Sequence, residues 1–313
     1  MCVSGRGYII YIVANPSAVF VSNGVKSLFA LSYMFRNDQP LALYRLVTMN
    51  RNEYCYDKSF AEFYDRFDLY ENRADVDFFV EEAKRSAGPV LELGCGTGRV
   101  LIPTARAGVD ICGLDSSEHM LNRCREKLDA EPVAVRERVE LIQGDVRDFQ
   151  LGRQFGLVTL PFRPFQHLTE VNDQIACLQC VRRCLANEGR LILDVFDPCL
   201  EKLVDESLLN EQSLGKPFTM PDGRYVRRSE RIAERDRARQ IQQVELIYNI
   251  RHPGGREQRL VTSFPMRYFF RYEVEHLLAL CGFEIEDLYS DYKRSPVGAR
   301  VPGELVFVSH KMS

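Results

Sequence analysis

The chain of 313 residues contains no tryptophan, and its charges almost cancel: 41 lysines and arginines face 44 aspartates and glutamates, a formal charge of −3. A balance this even projects no long-range field, so neither nucleic acid nor an anionic membrane is favoured as a partner. No apolar run approaches the roughly 20 residues that a membrane-spanning helix needs. Segment 8–14 (YIIYIVA) is apolar but short, with neither a well-charged leader nor a clear small-residue cleavage site, which argues against a secretory signal. The ten cysteines are scattered through strand and helix patterns in a chain too large to need disulfide staples, which suits buried thiols in a reducing compartment. What remains is an ordinary globular composition, 45% apolar and 27% charged, expected of a cytoplasmic protein with one large α/β domain and an appendage, or two small domains.

What is present is concentrated in residues 89–101, PVLELGCGTGRVL. A short apolar run carrying Glu92 is followed by Gly94, Gly96 and Gly98 on alternate positions, then by a helical pattern. The order is strand, tight turn, helix, which is where an α/β sheet receives the polar tail of a ligand. Glycines there permit positive φ and close approach of backbone N–H groups. The dinucleotide fingerprint needs a small residue three places after Gly96, and this chain has Arg99. That counts against an NAD-dependent oxidoreductase. The segment closely resembles the E-x-G-x-G-x-G turn of the class I S-adenosylmethionine-dependent methyltransferases.

Regular alternation follows. Helix 100–107 stops at Gly108, and strand 109–114 ends in Asp115. Ser116 and Ser117 supply a helix N-cap for 118–128. Strand 139–143 runs into Gly144-Asp145-Val146, strand 155–160 stops at Pro161, and helix 174–185 leads to strand 190–196. Strands alternating with helices predict a parallel, doubly wound, Rossmann-like sheet covered on both faces. Asp115 then ends the second strand, where a carboxylate can accept both hydroxyls of a ribose. Asp145 ends the third, where the same architecture places an adenine, with the Val146 N–H facing a ring nitrogen. Glu92 is suited to hold an ammonium, directly or through water. Any one of these acids alone is an ordinary solvated strand end; three on successive strands beside a glycine turn are a site.

The resemblance spans about residues 56–196 and implies S-adenosylmethionine as cofactor. Carried onto this chain, it assigns cofactor contacts to Tyr56, Tyr64, Glu92, Gly94, Cys95, Gly96, Gly98, Asp115, Ser116, Met120, Asp145, Val146 and Leu160. Tyr56 and Tyr64 belong to a helical stretch at 50–85 that closes over the cofactor in the family. Loop 161–168 is expected to shape the acceptor pocket, with Phe162 and Phe165 as walls and Arg163 or His167 meeting an acid or taking a proton. His167 is the one candidate for a catalytic role, and capping the next helix explains it equally well. The Asn-Pro-Pro-Tyr motif that serves nucleic-acid or glutamine amines is absent, which argues against those acceptors.

Beyond residue 198 the alternation stops. Segments 224–232, 240–250 and 259–269 predict an antiparallel meander inserted after the fifth strand, either covering the site or forming a homodimer interface. The arginines of 224–239 interleave with Glu230, Glu234 and Asp236, which points to a solvated strand face rather than an RNA patch. Helix 271–281 and strands 283–289 and 304–310 resemble the family's closing antiparallel hairpin and bring the main sheet to seven strands. Cys177, Cys180 and Cys184 share one helical face. No second cysteine pair accompanies them, so core packing is expected over zinc. The expected organisation is an extension outside the fold (1–48), with an organelle leader or weak anchor as the alternative, then a cofactor core (49–197), a β-rich cap (198–270) and a closing segment (271–313). The expected activity is methyl transfer to a small-molecule acceptor. The competing readings are a non-catalytic or partner-activating cofactor binder and, less consistent with Arg99, an NAD-dependent oxidoreductase.

Overall fold

The computed structural model describes residues 60–66, 73–300 and 302–312 with their side chains, together with the backbone of residues 58–59 and of short strands between residues 4 and 40. Those strands, Ser4–Gly5, Tyr8–Ile12, Val19–Asn23 and Ser27–Leu31, pair antiparallel into a sheet of their own. Periodicity in the sequence had not marked them. The main sheet is complete without them, so a chain beginning at Met49 is expected to keep its stability in chemical denaturation. A loss of more than about 1–2 kcal/mol, a large part of a domain's margin, would place the extension inside the fold.

The core is a seven-stranded sheet. Its strands are β1 (Val90–Leu93), β2 (Ile111–Asp115), β3 (Val139–Gln143), β4 (Phe155–Leu160), β5 (Leu185–Phe196), and a closing pair, β9 (Phe283–Tyr289) and β10 (Glu304–Lys311). The order is β9-β10-β5-β4-β1-β2-β3. β1 to β5 are parallel, and β10 runs antiparallel to β5 and β9. The chain winds outward through β2 and β3 and then returns to the other side of β1, so the switch point lies between β1 and β4. Ligands of open α/β sheets bind in the crevice at the carboxyl ends of strands at such a point.

Apolar strands need cover on both sides. On one face lie α2 (Asp75–Lys84), α3 (Leu101–Arg106) and α4 (Glu118–Asp129), through Phe78, Phe79, Leu101, Ile102, Leu121 and Cys124. On the other lie α5 (Val171–Cys184) and α6 (Arg271–Leu280). The thiols of Cys177, Cys180 and Cys184 are buried in that second layer. Burial pushes the Cys184 thiol up to about 12, so the free thiol packs there as a neutral apolar group. β5 begins five residues before the predicted start at 190, and a register shift against β4 accommodates the extra residues.

Two expectations change. The stretch 50–85 is not one helix: α1 (Lys58–Tyr64) and α2 are separate. α1 ends where the Asp65 carboxylate accepts hydrogen bonds from Thr97 Oγ1 (2.6 Å) and Lys127 Nζ (3.0 Å), which pin the turn to the glycine loop and to α4. Phe60, Phe63 and Tyr64 of α1 bury against Met120 and the inserted strands. That insert is the expected meander, β6 (Tyr225–Asp236), β7 (Ile241–Arg251) and β8 (Glu257–Arg267). Gln212–Ser213 and Phe218–Thr219 add to the outer edge of β6; two residues are too few to show a period. The arginine-rich strand is not wholly solvated, because Arg228 is buried and Arg224 forms an ion pair with Glu62 of α1.

Candidate active site

Register sets up the site. Glu92 on β1 lies beside Gly113 on β2 and Thr159 on β4, and Thr159 lies beside Ile192 on β5. Residues in register share a face, and side chains repeat that face every second position. Glu92, Thr159, Asp115 and Asp194 therefore form a polar row across four adjacent strands, near their carboxyl ends, on the α2–α4 side. Glu92 is 2% exposed. Among the described residues, no hydrogen-bond partner reaches its Oε2 or the Oγ1 of Thr159. Burial pushes the Glu92 carboxyl up to about 8; Arg99 draws it down, while Asp115 and Asp75 raise it further. An unpartnered buried polar atom costs about 1–3 kcal/mol, and a ligand ammonium is the donor this carboxyl lacks.

The glycine turn is shaped from both sides. Gly96 (φ +55°) and Gly98 (φ +80°) are left-handed; a Cβ at Gly98 would meet Cys124 Sγ at 2.6 Å, and one at Gly96 would come within 3.3 Å of Met120 Cε. Asp115 anchors the turn: Oδ2 accepts the Gly96 N–H and Oδ1 the Ser117 N–H, each at 2.8 Å. Burial raises the Asp115 carboxyl while those two N–H groups oppose the shift. Ser117, rather than Ser116, caps α4, its Oγ accepting the Met120 N–H at 3.3 Å; Ser116 is exposed, and its carbonyl accepts from Gln143 (3.3 Å). Cys95 is buried beneath the turn, where burial and the nearby acids push its thiol up. Gly94 (φ +71°) packs against Pro164, 2.8 Å from where a Cβ would sit. Tyr64 lies with Met120 in the cluster under the insert. Tyr56 falls outside the described residues.

Beyond β4 the loop is strained and braced. Phe162 (φ +67°) and Arg163 (φ +69°) are consecutive left-handed non-glycine residues, a conformation that persists only where the surroundings enforce it. The guanidiniums of Arg73 and Arg99 lie 4.6 and 5.0 Å from the centre of the Phe162 ring. Arg99 is clamped by both oxygens of the buried Asp75 (2.8 and 2.7 Å). The Arg163 N–H donates to Asp194 Oδ1 (3.2 Å) and its guanidinium to Glu304. Tyr292 donates its hydroxyl to Asp194 Oδ2 and accepts from Arg73, which also reaches Glu304 (both 3.2 Å). Burial, reinforced by Glu304, raises the Asp194 carboxyl to about 6. Arg163, Phe196, Tyr292 and Glu304 line a cavity of about 600 Å³ that extends toward Leu203, Leu208 and Ile232, within the usual range for small-molecule sites.

Several residues assigned from the sequence stand elsewhere. Phe165 is core, packed on Phe269 at 5.7 Å, and does not line that cavity. Leu160 is likewise buried in the core, and Val146 packs against it. The Asp145 carboxylate is forked by Arg147 (2.9 Å to each oxygen) because the two share one short turn after β3. His167 donates from Nδ1 to the Pro265 carbonyl (3.2 Å) and sets its ring edge-on to Phe264, stapling the loop to β8. Burial pulls its pKa down to about 4, and it does not line the cavity; the catalytic assignment to His167 is replaced by a packing one. Sequence reasoning missed Arg73, Thr159, Asp194, Tyr292 and Glu304. The lone acid in the apolar run LILDVF was a legible signal for Asp194. The closing hairpin's residues meet it only through the fold.

A mostly parallel seven-stranded sheet with a reversed last strand, a glycine turn after β1 and acids near the ends of β1 and β2 define a Rossmann-like, cofactor-binding α/β protein. The sequence profile of a methyltransferase domain matches residues 90–189. YqeM of Bacillus subtilis strain 168, provisionally named a methyltransferase, is 25% identical over 238 residues, 75% of this chain and 89% of the relative. The dTDP-3-amino-3,4,6-trideoxy-alpha-D-glucopyranose N,N-dimethyltransferase of Streptomyces venezuelae is 24% identical over 242 residues, 74% and 93% of the two chains. Among solved structures, the CcbJ methyltransferase of Streptomyces caelestis shares the fold with a TM-score of 0.66 at 24% identity, covering 82% of this chain and all of that one. Residues 90–189 carry a methyltransferase domain, and the chain is an S-adenosylmethionine-dependent methyltransferase with the class I fold and S-adenosylmethionine as its cofactor. The unpartnered Glu92 oxygen and the crowded glycine cradle fit that cofactor.

Proposed function

We propose that the acceptor is a small polar molecule, methylated on nitrogen, that sits in the cavity at the ends of β4 and β5. The observation carrying this reading is that Arg163 and Tyr292, which line that cavity, both hydrogen-bond to Asp194 of the polar row. Bound cofactor supplies a methyl already activated by its sulfonium, so the protein's task is alignment, worth about 7–11 kcal/mol of barrier. In this reading Glu92 seats the cofactor's ammonium, Asp115 its ribose, and the turn's N–H groups its tail. An amine that arrives protonated must shed a proton. Tyr292 lines the cavity and its hydroxyl donates a hydrogen bond to Asp194, a carboxylate whose value near 6 lets it take up a proton close to neutrality. Asp197 and Glu230 line the same cavity and suit a cationic amine. The amino-sugar relative of Streptomyces venezuelae supports the choice of nitrogen.

The test is incubation with isotope-labelled S-adenosylmethionine and a panel of free and nucleotide-linked amino sugars, followed by metabolite extracts, with products weighed by mass spectrometry. A methyl gained by one amine class is the expected result. Cofactor binding with no transfer to any member would overturn the reading in favour of a non-catalytic binder.

A further inference from the structure

Glu92 is a buried acid at the carboxyl end of β1, with one oxygen, Oε2, unpartnered among the described residues; Thr159, its register neighbour on β4, leaves Oγ1 equally unbonded. The charged groups facing it are Arg99, already held by both oxygens of Asp75, and the negative Asp115 and Asp75. Burial, with Arg99 opposing and the two aspartates reinforcing, pushes Glu92 up to about 8, so the free site carries a neutral carboxyl at pH 7. A neutral carboxyl is a poor seat for an ammonium, and an ionised one is a strong seat.

Resting on the reading of Glu92 as the ammonium's seat, we propose that the amino-acid end of the cofactor binds with release of the Glu92 proton. The subsite thereby selects ligands with a free amino group and holds them more tightly as pH rises through neutrality. No bond to carbon or sulfur changes in this step: the carboxyl O–H proton passes to solvent, the ammonium keeps its protons, and an ion pair remains. The direction follows from linkage. Binding lowers the Glu92 value, so fewer protons are bound in the complex between the two values. Affinity therefore climbs by up to about tenfold per pH unit below the free-site value and levels off above it.

The experiment is calorimetric titration with S-adenosylhomocysteine at about pH 6.5, below the Glu92 value, in buffers of contrasting ionisation enthalpy. The slope of observed heat against buffer enthalpy counts protons released. A slope near one is expected for the natural protein, and near zero for Glu92→Gln. Methylthioadenosine, which keeps the adenosine but has no amino acid, is expected to bind without releasing a proton, which separates Glu92 from Asp115 at the ribose. If S-adenosylhomocysteine binds with no buffer dependence, the proposal is overturned while the cofactor site stands. A slope that persists in a folded Glu92→Gln protein assigns the proton elsewhere and also overturns it. Failure of both ligands to bind sinks the site reading itself. Thermal melting reports whether Glu92→Gln is folded; if it is not, the two-ligand comparison on the natural protein decides alone.

Discussion

Asp115→Ala is expected to weaken S-adenosylmethionine binding by about 1.5–3 kcal/mol, tenfold to somewhat over a hundredfold, because charge-assisted hydrogen bonds to the ribose are lost. The structure adds a second effect. Asp115 also accepts the N–H groups of Gly96 and Ser117, and removing it leaves both without a side-chain acceptor, at about 1–3 kcal/mol each if water cannot reach them. The variant should therefore melt lower as well as bind more weakly. Asp115→Asn should fall between, since the amide oxygen retains one acceptor and the charge is gone. Calorimetry gives the affinity and chemical denaturation the stability. Unchanged affinity in a folded Asp115→Ala protein would show that the ribose lies elsewhere.

Asp75→Ala is expected to be the more damaging to the fold. Asp75 is fully buried and holds Arg99 through two hydrogen bonds, with Arg73 alongside. Its loss strands a largely buried guanidinium, which costs about 3–5 kcal/mol, and loosens one side of the stack on Phe162. Pairing it with Arg99→Leu should recover part of the loss, since the stranded charge goes too. The pH dependence has a defined sign. Burial alone would raise the Asp75 carboxyl, but the Arg99 hydrogen bonds and charge outweigh it and hold it below the usual value. Its stabilisation is therefore full above the unfolded value, near 4, and fades as pH falls through the lower folded value. Urea titrations between neutral and acid pH should show the natural protein losing stability that Asp75→Ala does not have to lose. A single variant within about 0.5 kcal/mol of the natural protein, the ordinary range for surface changes, would remove the clamp from the account.

How much was legible in the sequence follows the range of the forces involved. Strands β1 to β4 and the helices between them were read within a few residues, because a buried strand must be apolar and a covering helix must repeat near 3.6. The glycine turn and Asp115 were legible for the same local reason: backbone conformation at Gly96 and Gly98, and a carboxylate at a strand end, are decided within a few residues of chain. Asp145 shows the limit. Its place after β3 was right, but Arg147, two residues on, occupies its carboxylate, and spacing cannot say which partner a side chain chooses.

Tertiary structure alone decided the cavity beyond β4 and β5. Arg73, Arg163, Asp194, Tyr292 and Glu304 come from segments more than a hundred residues apart at the extremes, and antiparallel pairing of β10 with β5 brings them together. It also decided that Phe60, Phe63 and Tyr64 pack under the insert, and that His167 staples the loop to β8 through the Pro265 carbonyl. By itself the sequence determined the cofactor class, since that chemistry rests on a turn and on strand ends whose conformation is local. The cavity beyond β5 and the burial of Glu92 depend on which distant groups exclude water from one another, and only the folded chain specifies that.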